Sequence, residues 1–526
     1  MPAFNLIDEP WIPCVMPNGD AREIGLRDAL NSAHQVREVF DSSPLVTAAL
    51  HRLLLSIVQR NFAPGSLVEW KALWSTGRLD DVKLNDYFIR WHARFDLFHA
   101  ERPFYQQAKF KAKKTTPLKR LGWEFAAGNN ATLFDHSWDE DRPAIPPATA
   151  ARWVIATQTF AASAGKSETL HTKDSPWTRG AVILMQGNNL FETLALNLLS
   201  LLKPDFPSFA DDCLVWELEE TWNPAHGLTP SGKLSYLTWQ SRSIRLLPAN
   251  DGGVRECYFA QGRALQEEWR GEPMFAYKRN AKQGLLVWQF NPDRAVWRDS
   301  HALFNLSLDA PFQVPQALAH IATIAREGVV DRHRLYQLQI LGQCLESGQP
   351  TIHFWRQERL PVRVEYLDNS LLLERLGEAL RLAEDCARSL EQSLWSLAKL
   401  LVATNSDHKE ARQPDKKDIK NIIDSFGASP HYWAQLDAPF KQLLIDLPSD
   451  KTEEYGEVIY GESELPRWAG KLQRTATSAL AVATRSLDNS SRALKAVAKA
   501  EPSFRAKLRE ILADYLKQTA ANGRSR

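Results

Sequence analysis

Residues 376–401, LGEALRLAEDCARSLEQSLWSLAKLL, decide the C-terminal part of the fold. Their apolar side chains recur at alternating steps of four and three, which places them along one stripe of a long helix. The stripe consists of Leu376, Leu380, Ala383, Ala387, Leu390, Leu394, Leu397 and Leu401. Further helical patterns follow near 431–447, 464–486 and 489–519. Several long amphipathic helices with short connections predict an antiparallel four-helix bundle.

The chain that precedes this stripe has a mixed pattern. Short β-like runs with turn signals such as 18–19 alternate with helical patterns at 44–61 and 187–202. Their spacing is not that of a regular βαβ series, so a doubly wound sheet is not expected. We therefore predict an α+β protein, with an irregular mixed domain over 1–368 and the helical bundle over 369–526.

The composition favours a large folded protein that lacks metal, cofactor and membrane anchor. Of 526 residues, 44% are hydrophobic and 18 are Trp, so the chain can bury large cores. The formal charge of +1 means that any contact with nucleic acid must come from local patches. The chain shows neither a leader pattern nor a run of membrane-spanning length, which predicts a cytoplasmic protein. No C-x-x-C pair occurs among the five cysteines, Cys14, Cys213, Cys257, Cys344 and Cys386.

Residues 232–246, GKLSYLTWQSRSIRL, place aromatic and cationic side chains between apolar positions. This pattern predicts a half-buried strand with a polar, cationic outer side. Such a surface is a candidate for contact with a nucleic-acid backbone.

The same stretch resembles the large-subunit (CasA) family of type I-E Cascade, the RNA-guided CRISPR surveillance complex. Two more stretches resemble that family in the same order, FNLIDEPWIP at 4–13 and HAERPF at 99–104, and the resemblance spans essentially the whole chain. It implies a non-enzymatic protein that recognises the protospacer-adjacent motif (PAM) in double-stranded DNA and destabilises the adjacent duplex. The implied partners are the guide crRNA, target DNA, the backbone and small subunits, and a helicase-nuclease that docks on the complex and cleaves.

The resemblance also implies roles for particular residues. Ser163, Ala164, Gly165 and Lys166 align with a glycine-rich loop whose backbone approaches the PAM minor groove. Most of the family's glycines are missing here, and a phosphate contact from Lys166 would compensate. Arg263 falls where the family places a basic residue facing the PAM.

Two further positions carry implied contacts. Gly348, Gln349 and Pro350 match the wedge hairpin that pushes between the first base pairs beyond the PAM. Phe134 matches the start of a loop that contacts the guide-RNA end. Without the resemblance, residues 348–350 could also be an ordinary Gly-Pro turn, and Phe134 could be an aromatic side chain that anchors its loop.

Two basic clusters are candidates for phosphate binding on their own sequence. Lys109, Lys111, Lys113 and Lys114 lie in a twelve-residue stretch without acidic side chains, next to aromatic residues that can stack on bases. From residue 463 onward there are 13 Lys and Arg against 5 Asp and Glu, and this segment includes Arg492, Lys495 and Lys499 at helical spacing. A solvated loop and a solvated helix face remain the alternatives.

Two other classes of function stay open. The run 163–167 imitates the end of a phosphate-binding P-loop, but Phe160 stands where that motif needs a glycine. A nucleotide-binding enzyme is one alternative, and a helical scaffold without DNA affinity is the other. The 13 dispersed histidines form no catalytic arrangement, and Trp239 and Trp297 are expected in the core.

Overall fold

The chain folds into two compact units. The computed structural model describes residues 3–125, 142–163, 173–198, 209–219, 225–266, 272–307, 309–346, 350–402, 415–454 and 457–522. The first unit comprises Met1–Asn291, Leu306–Arg332 and Tyr336–Leu360, and the second comprises Pro292–Asn305, His333–Leu335 and Pro361–Arg526. Two short segments that precede these helices in the sequence, Pro292–Asn305 and His333–Leu335, therefore belong to the same unit as the C-terminal helices.

Helices occur throughout both units. In chain order they are α1 (Leu26–Asn31), α2 (Pro44–Phe62), α3 (Leu67–Thr76), α4 (Asp81–Trp91), α5 (Pro147–Phe160), α6 (Leu190–Leu196), α7 (Lys233–Leu237), α8 (Ser300–Phe304), α9 (Gln316–Arg326), α10 (Ser370–Val402), α11 (Lys416–Ser425), α12 (Ala428–Asp446), α13 (Glu464–Arg485), α14 (Ser491–Ile511) and α15 (Ala513–Asn522). The helix predicted over 44–61 is confirmed by α2, whereas that predicted over 187–202 is shorter.

The strands form several small sheets. They are β1 (Ile12–Val15), β2 (Ala21–Ile24), β3 (Glu38–Val39), β4 (Thr116–Pro117), β5 (Ala181–Gln186), β6 (Ala225–Leu228), β7 (Arg242–Pro248), β8 (Val254–Gln261), β9 (Arg263–Leu265), β10 (Tyr277–Asn280), β11 (Gly284–Val287), β12 (Phe312–Gln313), β13 (Leu335–Leu345), β14 (Ile352–Arg363), β15 (Lys451–Glu454) and β16 (Glu457–Tyr460). Their orders are β2-β1-β3, β4-β8-β7, β6-β9, β11-β10-β12, β14-β13-β5 and β15-β16. The predicted α+β class, without a doubly wound sheet, is confirmed.

The hairpin turns follow the glycines of the sequence. Gly19 has φ +91° between β1 and β2, and Gly252 has φ +82° between β7 and β8. Glycine adopts this left-handed region without steric cost, so these residues let each pair of strands reverse direction.

The apolar stripe of α10 is the centre of the second unit. All its members are buried except Leu401, which is half-buried. Helix α12 runs opposite to α10, since the Tyr432 hydroxyl donates to Ala383 O at 2.9 Å and Tyr366, just before α10, donates to Leu444 O at 3.1 Å. The stripe thus buries its apolar surface against neighbouring helices, which is the main source of helix stability in proteins.

The directions of the other long helices, α13 and α14, also follow from single contacts with α10. Trp468 of α13 donates to Ala379 O at 2.9 Å, near the start of α10, so these two helices run in the same direction. Arg492 at the start of α14 donates to Leu401 O at 3.4 Å, at the far end of α10. Helices α10, α12, α13 and α14 therefore alternate in direction along the chain, and the short helices α11 and α15 pack against α10 and α13.

A buried ion pair lies at the centre of the first unit. Arg52 of α2 donates from Nε to Leu237 O at 2.9 Å, and its Nη1 lies 3.4 Å from Glu272 Oε2. The same carboxylate accepts hydrogen bonds from the Trp177 indole at 2.6 Å and the Tyr236 hydroxyl at 2.5 Å. One charge pair thus joins four distant parts of the chain.

His320 should make the stability of the protein depend on acidity. Burial lowers its pKa to about 4, and its ring lies edge-on to Trp70. Its Nε2 has no hydrogen-bond partner among the residues that the structure describes. The unfolded chain takes up this proton below pH 6.5 and the folded chain does not, so stability is lost as pH falls from 6.5 toward 4. We expect the free energy of unfolding, measured in urea, to fall between pH 7 and pH 4.5 for both the wild type and His320→Phe. The fall should be about 2–3 kcal/mol larger for the wild type. If the free energy of unfolding falls equally in both proteins, His320 is not the source of this pH dependence.

Candidate nucleic-acid interface

The two ends of the segment 164–172 are held side by side. The Ser175 N–H donates to Ala161 O at 2.9 Å, and the Thr178 hydroxyl donates to the same carbonyl at 3.0 Å. The Ser163 N–H donates to Asp174 Oδ1 at 2.7 Å. This predicted PAM loop therefore begins and ends on a closed, hydrogen-bonded base. Of its predicted residues only Ser163 is placed, because Ala164, Gly165 and Lys166 lie outside the described part of the chain.

A buried arginine lies beneath this base. The Arg242 guanidinium donates to Ala161 O at 2.7 Å, to Ala162 O at 3.0 Å and to Ser241 O at 2.8 Å. Burial lowers the pKa of Arg242 to about 10, and the charge of Asp174 partly offsets that effect. The side chain therefore stays charged at neutral pH. It donates to two carbonyls that directly follow α5, those of Ala161 and Ala162, and to the carbonyl of Ser241 just before β7.

The prediction for residues 232–246 was wrong in two respects. Lys233–Leu237 forms the short helix α7, and the strand begins only at Arg242. Arg242 is 1% exposed, so it faces the core and is not part of a cationic outer side. The stretch 232–246 has the alternating pattern of a half-buried strand although its polar side chain Arg242 lies in the core. There the guanidinium donates to backbone carbonyls and not to solvent. Trp239 lies in the core, as predicted.

Arg263 is oriented by the same stretch of chain. Its N–H donates to Gln240 O at 3.0 Å, and its carbonyl accepts the Trp239 indole N–H at 3.0 Å. The guanidinium lies 4.5 Å from the centre of the Trp239 ring, a cation–π arrangement that restricts its direction. Half-burial lowers the pKa of Arg263, although an arginine remains cationic in proteins.

Gly262 permits this close approach of two backbones. A Cβ atom there would lie 2.7 Å from both Arg242 N and Gln240 O. The neighbouring Gln261 side chain accepts the Lys173 N–H at 3.5 Å, which links this strand end to the loop base. Ser163 and Arg263, which are 100 positions apart in the sequence, are thereby brought into one hydrogen-bonded region.

The strands on either side of the predicted wedge reach the same region. Strands β13 and β14 are joined through residues 346–351, and the Glu346 N–H donates to Thr351 O at 2.9 Å. Near that end the Gln343 amide donates to Phe160 O at 2.7 Å and Thr178 O at 3.2 Å, the two sides of the loop base. Gly348 and Gln349 lie outside the described residues, and Pro350 is half-buried beside them.

Sequence reasoning missed the residues that hold this region together. Gln343 also accepts the Trp123 indole N–H at 3.2 Å, and the Gln158 amide donates to Arg242 O at 2.9 Å. Both glutamines are about 1% exposed. A buried glutamine requires several partners, but the one available signal, a polar residue inside an apolar run, does not identify those partners.

The lysine patch is exposed, but its predicted aromatic neighbours are not. Lys109, Lys111, Lys113 and Lys114 are on the surface. The aromatic residues near this stretch include Phe104, Tyr105 and Trp123, which are buried and so cannot stack on bases. Lys119, which lies within the twelve residues 109–120, is buried as well. The remaining aromatic pair, Phe110 and Tyr258, is half-buried with ring centres 6.5 Å apart. The patch therefore offers charge more than stacking.

The basic helix of the second unit is α14. Arg492, Lys495 and Lys499 are exposed along it. Arg505 and Lys507 farther along form ion pairs with Glu501 and Glu510, so their charges are partly balanced. This unit also contains Trp297, which is buried as predicted.

The remaining predictions concern Phe134, the P-loop-like run 163–167, metal binding and membrane spans. Phe134 lies outside the described residues. A P-loop follows a strand, whereas the chain before Ser163 is helix α5, which does not support nucleotide binding there. Within the described ranges, no three His, Cys, Asp or Glu side chains gather as a metal site would require. In that same part of the chain, no helix is long and apolar enough to cross a membrane.

A closed loop base, an oriented arginine and the end of a strand pair thus form one polar, hydrogen-bonded region of the first unit. Residues 5–479 match the model of the family described as CRISPR-associated protein Cse1. The chain belongs to this family.

Individual relatives agree over nearly the full length. The chain is 33% identical to the CRISPR-associated protein CasA/Cse1 of Thermus thermophilus, over 97% of this chain and 98% of the relative. A solved structure of Thermus thermophilus CasA (Cse1) superposes with a TM-score of 0.77 at 29% identity, covering 97% of this chain and 100% of that one. A chain of a CRISPR RNA-guided surveillance complex shares the fold, with a TM-score of 0.73 at 21% identity and coverage of 97% and 100%.

Proposed function

We propose that this protein is the large subunit of an RNA-guided CRISPR surveillance complex of the Cascade type. In this role it recognises the PAM in double-stranded DNA and destabilises the adjacent base pairs, so that guide RNA begins to pair with the target. The family membership supports the class of function, and the fold shared with a chain of a surveillance complex supports assembly with other subunits and guide RNA.

One observation carries the DNA-reading part of the proposal. The base of the loop at Ser163, the oriented Arg263 and the hairpin end near Gln343 belong to one network of hydrogen bonds. This proximity supports the proposal that one short duplex contacts the loop, Arg263 and the turn between β13 and β14. The proposal requires that the loop and the turn carried by these elements face the same duplex as Arg263.

Each element has a distinct physical task. Arg263 would sense the width and potential of the minor groove more than base identity. The turn 348–350 would insert between base pairs, and unstacking a step costs a few kcal/mol that protein contacts must offset. The exposed lysines 109–114 and the basic face of α14 would bind phosphates without sequence preference.

The protein acts in this scheme without catalysis. Cleavage belongs to the helicase-nuclease that we expect to dock on the assembled complex, and no cofactor is needed for reading or opening the duplex. We expect this work to take place in the cytoplasm. The two alternative functions, a nucleotide-binding enzyme and a helical scaffold without DNA affinity, have no described contact that favours them.

Arg263→Ala should weaken loading of the assembled complex on a PAM-containing duplex by about tenfold, since one well-placed groove contact contributes roughly 1–3 kcal/mol. Gln349→Ala should also reduce PAM-dependent loading, while assembly of the complex stays intact. The measurement is a gel shift on two duplexes that differ only in the PAM, with and without this subunit.

Two controls make this result specific. Arg279→Ala removes an exposed arginine of β10 and should leave PAM discrimination unchanged. Lys495→Gln should weaken both duplexes alike and flatten the salt dependence of binding. Unchanged loading in both Arg263→Ala and Gln349→Ala would count decisively against these site assignments.

A further inference from the structure

A small cavity lies in the first unit. Its volume is about 60 Å³, and it is lined by Arg94, Glu101, Arg102, Trp216, Leu218 and Gln240 among others. Space of this size holds a few water molecules or one phosphoryl group. Two of the stretches that carry the family resemblance meet here, because Arg102 comes from 99–104 and Gln240 from 232–246.

The cavity is lined by two guanidinium groups and one carboxylate, that of Glu101, so cationic side chains outnumber acidic ones. Burial and the charge of Arg102 both lower the pKa of Arg94. The partner of Arg94 is Glu219, at 3.7 Å, and the Glu219 side chain is 82% exposed, so solvent screens most of that attraction. Arg102 donates one hydrogen bond to Leu218 O at 3.0 Å and, within the described ranges, forms no ion pair with a carboxylate.

Arg102 is directed to this place by its own sequence motif. The imidazole Nδ1 of His99 accepts the N–H groups of Glu101 at 3.2 Å and Arg102 at 3.1 Å. Phe104 is buried in the aromatic core beside Trp216, with ring centres 5.2 Å apart. These contacts at both ends of the motif restrict the direction in which the Arg102 side chain leaves the backbone.

Gln240 supplies the second, independent observation. Its side chain is 4% exposed and has no hydrogen-bond partner among the residues that the structure describes. The fully buried polar atoms without a partner do not include this amide, so it reaches the space of the cavity and can donate to a ligand there. Its backbone oxygen accepts the Arg263 N–H, which places the cavity close to the proposed DNA-reading region.

We propose that Arg94, Arg102 and Gln240 form a binding site for a backbone phosphate of nucleic acid. Two guanidinium groups neutralise the phosphodiester and donate to its oxygens, and the amide donates a further hydrogen bond. Such a contact positions the strand and carries no sequence information. The inference rests on the proposed nucleic-acid function, but it does not require that the protein reads a PAM.

The test uses the full chain and fluorescence anisotropy at several KCl concentrations, with a labelled 30-base-pair DNA duplex and a labelled single-stranded RNA as probes. We expect Arg94→Gln and Arg102→Gln each to weaken at least one probe by about five- to tenfold and to reduce its salt slope by about one. Gln240→Leu should weaken the same probe without changing the slope. The probe that responds identifies whether the phosphate comes from DNA or RNA.

Arg90→Gln is the matched control, because Arg90 is exposed on α4 one helical turn before Arg94 and does not line the cavity. It should change affinity less than twofold. If Arg94→Gln and Arg102→Gln, shown to be folded by thermal melting, behave like Arg90→Gln on both probes, the site is refuted. If the wild type binds neither probe, the proposed function fails as well, so the two failures are distinguishable.

Discussion

Arg242→Met should lower the free energy of unfolding by about 2–4 kcal/mol and abolish PAM discrimination by the assembled complex. The change removes a charged donor from the carbonyls of Ala161, Ala162 and Ser241. Ala161 O keeps the Ser175 N–H and the Thr178 hydroxyl, and Ser241 O keeps the Gly262 N–H, so Ala162 O loses the one donor described for it. Hydrogen bonds from a charged donor contribute about 1.5–3 kcal/mol each, while removal of the buried charge itself recovers part of the loss. The loop at 163 would then lose its base and its position relative to Arg263.

Urea unfolding and the two-duplex gel shift measure these effects together. Arg245→Met provides the control, because Arg245 lies on the same strand and is half-exposed, with no described carbonyl partners at the loop. It should change stability by less than about 1 kcal/mol. A variant Arg242→Met that is as stable and as discriminating as Arg245→Met would show that the loop base does not depend on this guanidinium.

Arg52→Met should destabilise the first unit by about 3–5 kcal/mol, because it leaves the Glu272 carboxylate buried without its counter-charge. Arg52 and Glu272 are both 3–4% exposed. The arginine also lies 4.6 Å from the ring centres of both Trp177 and Tyr236, so its loss removes two cation–π contacts. Thermal and urea unfolding of the full chain measure the effect, and the unit that contains Arg52 should unfold first.

The double variant Arg52→Met with Glu272→Gln separates charge from packing. If the unpaired carboxylate causes most of the loss, the double variant should be about 1–2 kcal/mol more stable than Arg52→Met alone. If the double variant is less stable by the sum of both single changes, the two groups act independently and the ion pair is not the source of the stability.

The candidate site shows how far residue patterns lead. The resemblance pointed to Ser163 and Arg263, and the structure brings them into one region. It did not point to Arg242, Gln158 or Gln343, which hold that region together from within the core. Such residues are specified by partners that lie tens to hundreds of positions away, and one sequence contains no signal for those pairings.

The sequence by itself determined local structure wherever a strong local signal was present, as in the periodic stripe of α10 and in the turn at Gly19. Periodicity is a local property, because side chains three or four positions apart share a helix face whatever the rest of the chain does. Tertiary structure alone decided which cations are exposed. Lys119 and Arg242 are buried while Lys109 and Lys495 are on the surface, because burial depends on which distant segments pack together, and charge pattern does not encode that choice.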